Sequence, residues 1–349
     1  MAGPRTTYVR CCRATSPRSG DGLPTSAPLR AVVDDHNPDV LLAHGGQAAQ
    51  VAAFALWRRA QTAIVWQRIL DFPPELWKPG RRQYWRLIVR RVDAVVALTA
   101  DEAKEMGALR FAKPVWTIPN FRQPSRFMSV DRAAAAARLR REIGIDDGAP
   151  LVGFVGHLVH QKRPVRAVSV LELVRQAEGV DAHLVIAGSG PKRELVEQEI
   201  ERRGLTGHVT ILGHRDDIEQ VFAGIDLAIL VSSTEGIPGV AIEAAMAGCP
   251  LASYPVGGIR EVVDHGRTGV VLDESDVGTM ATEVAALLRD DGRRSAMSDA
   301  ARLRHAIHFS AERIAHRYNE VLVAATSARR DHDERSTGFM AALHRRLGG

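Results

Sequence analysis

From residue 29 onward, short apolar runs alternate with segments of helical character. In the first part of the chain the runs fall at 40–43, 63–66, 94–98 and 115–118, and the intervening segments 47–60, 75–91 and 101–109 read as helices. Strands of four to six residues alternating with helices predict βαβ units and a parallel sheet. Residues 119–130 contain Pro119, Pro124 and several polar side chains and read as a linker, followed by a short helix rich in Ala and Arg at 131–143. A second and cleaner series then begins. Strands are expected at 151–155, 183–187, 209–212, 227–231, 250–254 and 270–272. The first is followed by a turn at Gly156 and a helix over 163–177. The second ends in Gly188-Ser189-Gly190-Pro191, with a helix opening near Pro191, where proline suits the first turn, and stopping at Gly204.

The expected organisation is therefore α/β, with two parallel-sheet lobes joined by a linker. Residues 1–28, which mix Pro, Ser, Thr, Arg and Gly without periodicity, read as irregular. Residues 29–128 form a first lobe and 129–305 a second. A helix at 306–326 and a charged tail at 327–349 complete the chain. The first series supplies about four strands and no Gly-rich strand–turn–helix at its start, so the first lobe reads as incomplete. At 349 residues, about two domains are expected.

Composition adds limits. Apolar residues make up 45% of the chain, enough for two cores, and the net charge of +5 suits phosphate-bearing ligands or an anionic surface as readily as it suits a coding bias toward Arg. The three cysteines, Cys11, Cys12 and Cys249, form neither a disulfide framework nor a metal pattern. No apolar run approaches the roughly 18 residues of a membrane span, and no signal-peptide core follows the Arg-rich start. A cytoplasmic protein is expected, peripheral at the inner membrane surface if the segment 75–91 acts there. That segment mixes Trp77, Tyr84 and Trp85 with Lys78, Arg81, Arg82, Arg86, Arg90 and Arg91, which suits either an interfacial helix or one packed on its lobe with snorkelling arginines. No nucleic-acid motif accompanies it.

The most informative segment is 226–250. It reads as a strand, a loop holding Glu235 and a helix whose start is placed by Pro238 and Gly239, with Glu243 in its first turns, eight residues after Glu235. In an open α/β sheet, ligands bind beyond the carboxyl ends of the strands. Free amides at a helix start accept phosphate oxygens. Carboxylates on either side of such a site suit a diphosphate flanked by hydroxyl groups, as in a nucleotide sugar. Taken singly, Glu235 is a loop charge and Glu243 a partner of the helix dipole; the combination carries the inference.

This segment resembles the paired-glutamate motif of glycosyltransferase family 4. The likeness extends to the strand 38–46, the stretch 92–99, the turn Ile118-Pro119-Asn120 and the glycine-rich stretch 257–263 with Gly269. It implies two Rossmann-like lobes facing across a cleft, the GT-B arrangement. It also implies transfer of a hexose-type sugar from a nucleoside-diphosphate sugar, with retention at the anomeric carbon. No cofactor and no metal site are implied. By the resemblance Glu235 contacts the donor sugar, Glu243 the ribose, and the amides of Gly236, Ile237, Pro238–Gly239 and Val240 border the diphosphate. Lys162 would neutralise charge on the departing diphosphate, while Gly156, His157, Gly188 and Gly190 would line the nucleotide pocket. Two positions differ from the family pattern. His157 stands where an arginine is frequent, and Gln67-Arg68 where the first lobe often carries a histidine. Arg68, with His44 beside Gly45-Gly46, is therefore the candidate acceptor side. The acceptor, whether glycolipid, glycan or small molecule, is not specified. A nucleotide-sugar-binding protein without transfer activity and a sugar-nucleotide epimerase are the alternative readings.

Overall fold

The computed structural model describes residues 27–57, 59, 61–69, 78–122, 125–145, 148–176, 178–273 and 276–347. The expectation of irregular chain at 1–28 lies almost wholly outside these residues, as do positions 75–77 of the basic-aromatic segment. The chain divides into two compact units. One comprises residues up to Pro119 together with those from Ala315 onward; the other is Asn120–Ile314.

In the first unit the elements run α1 (Ala27–His36), β1 (Val40–His44), α2 (Gly45–Ala55), β2 (Ala63–Gln67), α3 (Pro79–Arg91), β3 (Ala94–Ala97), α4 (Ala100–Ala108) and β4 (Val115–Thr117). The four strands form one parallel sheet in the order β1-β2-β3-β4, with His44 opposite Gln67 at the ends of the first pair. Such strands are buried on both faces and need no polar alternation; every residue of β2 and β3 is buried. Trp85 of α3 stacks on Trp66 of β2, ring centroids 5.1 Å apart, and joins Ile88, Val89, Ala52 and Leu56 in the core. The aromatic side of α3 therefore faces its own sheet. Of its arginines, Arg82 and Arg86 donate to the Ala108 carbonyl at the end of α4.

A buried charged node ties the sheet ends. Asp93 accepts from the Ile64 amide at 2.9 Å and from Arg91 at 3.0 Å, while Arg91 also donates to the carbonyls of Leu56, Arg59 and Thr62. Burial, reinforced by Arg329, lowers the Arg91 pKa to about 10, and Asp93 opposes that shift. Arg329 itself comes from the chain end and lies 3.6 Å from Asp93.

In the second unit the elements are α5 (Ser125–Met128), α6 (Arg132–Ile143), β5 (Leu151–Val155), α7 (Pro164–Gln176), β6 (His183–Ala187), α8 (Arg193–Arg202), β7 (Val209–Gly213) and α9 (Ile218–Gly224). These are followed by β8 (Leu227–Leu230), α10 (Gly239–Ala247), β9 (Leu251–Ser253), α11 (Ile259–Val262), β10 (Val270–Val271), α12 (Val277–Arg289) and α13 (Asp291–His308). Their parallel sheet has the order β10-β9-β8-β5-β6-β7. The chain thus builds outward from β5 to β7, returns to the other side of β5 with β8, and builds outward again. The β5–β8 boundary is where the strand order reverses, the place at which an open α/β sheet leaves a crevice beyond its strand ends.

Both expected parallel sheets are present. At the chain end the helix expected at 306–326 is one element, α14 (Ala311–Leu347), which continues through the segment read as a charged tail. From Ala315 it belongs to the first unit. Arg329 and Arg330 fix it there, through Asp93 and through Asp39 at 2.9 Å.

Candidate active site

The site forms where β5 and β8 end. Beyond β5, Gly156 turns the chain with φ +150° and donates to the Ala187 carbonyl at 3.0 Å. Gly188 leaves β6 at φ +152°, and a methyl group built on it would come within 1.9 Å of the Gly156 carbonyl oxygen. Only glycine allows the two loops this approach. Leu158 then donates to Ser189 at 2.9 Å, and Lys192 to Leu158 at 2.9 Å. These bonds form the floor of a crevice from Gly156, His157, Gly188 and Gly190. His157 is exposed above it.

A single 3-10 turn, His160–Lys162, follows, and Arg163 closes it with a left-handed backbone at φ +50° before Pro164 starts α7. The turn is stitched to the loop after β8. The Gln161 carbonyl accepts from the Ser233 amide at 2.8 Å and its hydroxyl at 3.1 Å, and the Gln161 side chain donates to the Thr234 carbonyl at 2.7 Å. This register brings Lys162 Nζ to 2.5 Å from Glu235 Oε1. Glu235 is buried and the lysine a quarter exposed. A third loop backs the main chain at Glu235: Gly258 donates to the Gly236 carbonyl at 2.6 Å, and a methyl on Gly257 would lie 2.1 Å from the Glu235 carbonyl oxygen.

Pro238 precedes α10 in an extended conformation, so the helix opens with no side chain capping it and no acidic residue in its first turn. Its leading amides, at Gly239 and Val240, carry the positive end of the helix dipole at the crevice. Ile237 and Pro238 are buried and anchor this opening. Glu243 lies one turn along, a fifth exposed, and accepts from Arg122 Nε at 2.8 Å. Lys162 and Glu235 are therefore paired one loop away from the start of α10, the helix that carries Glu243.

Arg122 is the residue that sequence reasoning missed. It lies in the segment read as a linker, and no local pattern marks it. Tyr254, directly after β9, is fully buried with the Arg166 guanidinium 5.6 Å from its ring centroid; burial raises the phenol pKa.

Arg68 requires a correction. It is 1% exposed, donates to the Glu102 carbonyl at 2.6 Å and pairs with Glu105 at 2.5 Å. There it braces α4, whose first turn is capped by Thr99 and by the buried Glu102 carboxylate. A guanidinium so enclosed is a structural group and not a contact for an acceptor. The neighbouring Gln67 is also buried, and burial pushes the phenol of Tyr318 on α14 up to about 12. His44 is exposed at the end of β1, ahead of Gly45 with φ +80°, and occupies the N-cap position of α2 without a side-chain hydrogen bond to the helix. His265 accepts the Val271 amide at 3.2 Å in a structural role. Cys249 is buried, and burial lifts its thiol to about 11. Among the described residues, no group of three or more His, Cys, Asp or Glu gathers as a metal site, and no helix is long and apolar enough to cross a membrane.

Residues 136–304 match the family described as glycosyl transferases group 1, and residues 1–121 match the glycosyl transferase 4-like domain. The chain belongs to glycosyltransferase family 4. Among its relatives, the D-inositol 3-phosphate glycosyltransferase of Nocardia farcinica is 34% identical over 236 residues, covering 64% of this chain and 51% of that protein. The 2-deoxystreptamine glucosyltransferase of Streptomyces kanamyceticus is 29% identical over 212 residues, covering 59% of this chain and 54% of the relative. The chain thus spans about half the length of these curated relatives. The crystal structure of Anabaena HepE in complex with UDP shares the fold, with a TM-score of 0.76 at 21% identity over 86% of this chain and 82% of that one.

Proposed function

We propose that this family-4 chain transfers a sugar from a nucleoside-diphosphate sugar to a hydroxyl-bearing acceptor, with retention at the anomeric carbon and without a cofactor. The observation that carries this reading is the Lys162–Glu235 pair at the β5–β8 switch point, one loop away from the uncapped start of α10 and from Glu243. As the bond to the anomeric carbon breaks, negative charge grows on the departing diphosphate. A lysine and a helix start already fixed at that place stabilise the charge without reorganising. Glu235, held from behind by the glycine loop at 257–258, offers a carboxylate to donor-sugar hydroxyls. Glu243 offers another to the ribose. Gly156, Gly188 and Gly190 let backbone approach the nucleotide.

UDP is the first nucleotide to test, because HepE has been solved with UDP and with UDP-glucose. The acceptor class suggested by the relatives' names is a polyol, an aminocyclitol or a comparable small hydroxylated molecule. An anionic membrane surface is a second proposed partner, for a cytoplasmic protein at the inner face. The exposed basic residues of α3 would supply the attraction, since the aromatic residues Trp85 and Tyr84 are engaged in the first unit's core. The test of function is release of nucleoside diphosphate from UDP-, GDP- and ADP-glucose, with and without an acceptor pool, and the anomeric configuration of any product by NMR. Release that depends on acceptor supports transfer. Tight binding without release supports a binding protein, and conversion of the donor sugar without acceptor supports an epimerase.

A further inference from the structure

Arg122 is the third residue of the second unit, and its side chain reaches α10. Its Nε donates to Glu243 Oε1 at 2.8 Å, and its Nη1 to the Phe121 carbonyl at 3.2 Å. The guanidinium rests directly on the first residue of the helix: a methyl group built on Gly239 would lie 2.0 Å from Nη2 and 2.8 Å from Cζ. A guanidinium has five N–H donors. The remaining three of Arg122 have no partner among the described residues.

This is an unusual place for a cation. The first two amides of α10, at Gly239 and Val240, have no acceptor among the described residues, and the dipole end is positive, which repels a guanidinium and attracts an anion. Among the described residues, Glu243 is the carboxylate that pairs with the arginine there. The other fixed cation at the crevice, Lys162, is engaged by Glu235. Both carboxylates are thus matched by a cation, and the start of α10 has no anion beside it among the described residues.

We propose that Arg122 is a diphosphate-binding residue that also serves as a placeholder. In the donor-free protein it neutralises Glu243. When a nucleoside diphosphate enters, the ribose takes the Glu243 carboxylate and the guanidinium turns its free donors to the phosphates lying at Gly239 and Val240. This rests on the reading of Glu243 as the ribose residue. The exchange makes the site selective for the charged part of its ligand. A nucleoside must break the Arg122–Glu243 pair and gives Arg122 nothing in return, whereas a nucleoside diphosphate replaces both halves of the pair. The pair is 42% and 20% exposed, so little stability depends on it, and variants at 122 are expected to fold.

The test is titration calorimetry on the full chain with UDP, GDP and ADP, continued with the tightest of these and its parent nucleoside, for wild type, Arg122→Gln, Arg122→Lys and Glu243→Ala. Arg122→Gln should weaken the diphosphate by about tenfold or more, the scale of a lost charge-assisted hydrogen bond. It should leave the nucleoside unchanged or a few-fold tighter, and Arg122→Lys should recover part of the diphosphate affinity. Equal weakening of diphosphate and nucleoside, or unchanged diphosphate affinity in a protein whose binding still falls with Glu243→Ala, overturns the role of Arg122 alone. Failure of all three diphosphates to bind wild type overturns the donor-site reading and this inference with it.

Discussion

Replacing Lys162 by methionine keeps most of its aliphatic stem and removes its charge. Two effects follow from the geometry, and they have different sizes. The first is on the folded state: Glu235, 8% exposed, loses a partner at 2.5 Å. Stranding a deeply buried charge costs about 3–5 kcal/mol, but Lys162 is a quarter exposed and the crevice admits water, so about 1–2 kcal/mol is expected. The second is on the reaction. If the ammonium faces charge that develops only as the donor bond breaks, the loss is one charge-assisted hydrogen bond of about 1.5–3 kcal/mol, roughly ten- to 150-fold. That loss falls on kcat more than on KM. The assay is diphosphate release under single-turnover conditions, with urea unfolding alongside. Adding Glu235→Gln should restore the stability lost in Lys162→Met while leaving turnover low, because the stranded charge is gone but the stabilising cation is still missing. Single-turnover rates within twofold of wild type in Lys162→Met would refute the reasoning. So would full recovery of turnover in the double variant.

Other expectations follow from the same contacts. Gly188→Ala forces a methyl against the Gly156 backbone and should cost about 1–3 kcal/mol in urea unfolding together with nucleotide affinity; a variant as stable as wild type would show that the two loops can part. Gly257→Ala presses on the Glu235 carbonyl and should raise the KM for donor, whereas an unchanged KM would mean the third loop does not position the carboxylate. Arg68→Met should lower the melting temperature through loss of its bonds to Glu102 and Glu105 yet leave nucleoside diphosphate affinity unchanged; a change in affinity without a change in stability would return Arg68 to the list of binding groups. His183 is held neutral by burial, its pKa lowered to about 4, and bonds Thr210 Oγ1 at 2.8 Å. Its folded pKa is below the unfolded value, so stability should fall as pH drops from about 6.5 to 4, by up to about 3 kcal/mol; His183→Gln should flatten that slope in unfolding midpoints measured against pH.

What could be read from the chain was whatever depended on local order. The strands 151–155 and 183–187 coincide with β5 and β6, because buried parallel strands are unbroken apolar runs ended by Gly156 and Gly188. Glu235 and Glu243 could be named because each sits at a fixed offset from a strand end or helix start, and Lys162 through the family resemblance alone; the sheet order brings those ends together. Long-range placement could not be read in this way. Arg68 follows a strand as a site residue would, but its burial is decided by α4, more than thirty residues later. Arg122 reaches Glu243 across 121 positions of sequence. The helix at the chain end has a polar, charged composition that reads as a tail, and its continuity to Leu347 and its return to the first unit depend on Arg329 and Arg330 finding Asp93 and Asp39. The helix α3 illustrates the same limit: its aromatic and basic residues suited either an interfacial helix or one packed on its lobe, and the contact that decides for Trp85, stacking on Trp66, comes from another element.

The central claim is that a nucleoside diphosphate binds where β5 and β8 part, between Lys162 and Glu243. Calorimetric titration of UDP, GDP and ADP into the wild-type chain, Glu243→Ala and Lys162→Ala tests it most directly. The account predicts binding of at least one diphosphate to wild type and about tenfold or greater weakening in each variant. Undiminished affinity in both variants would contradict it.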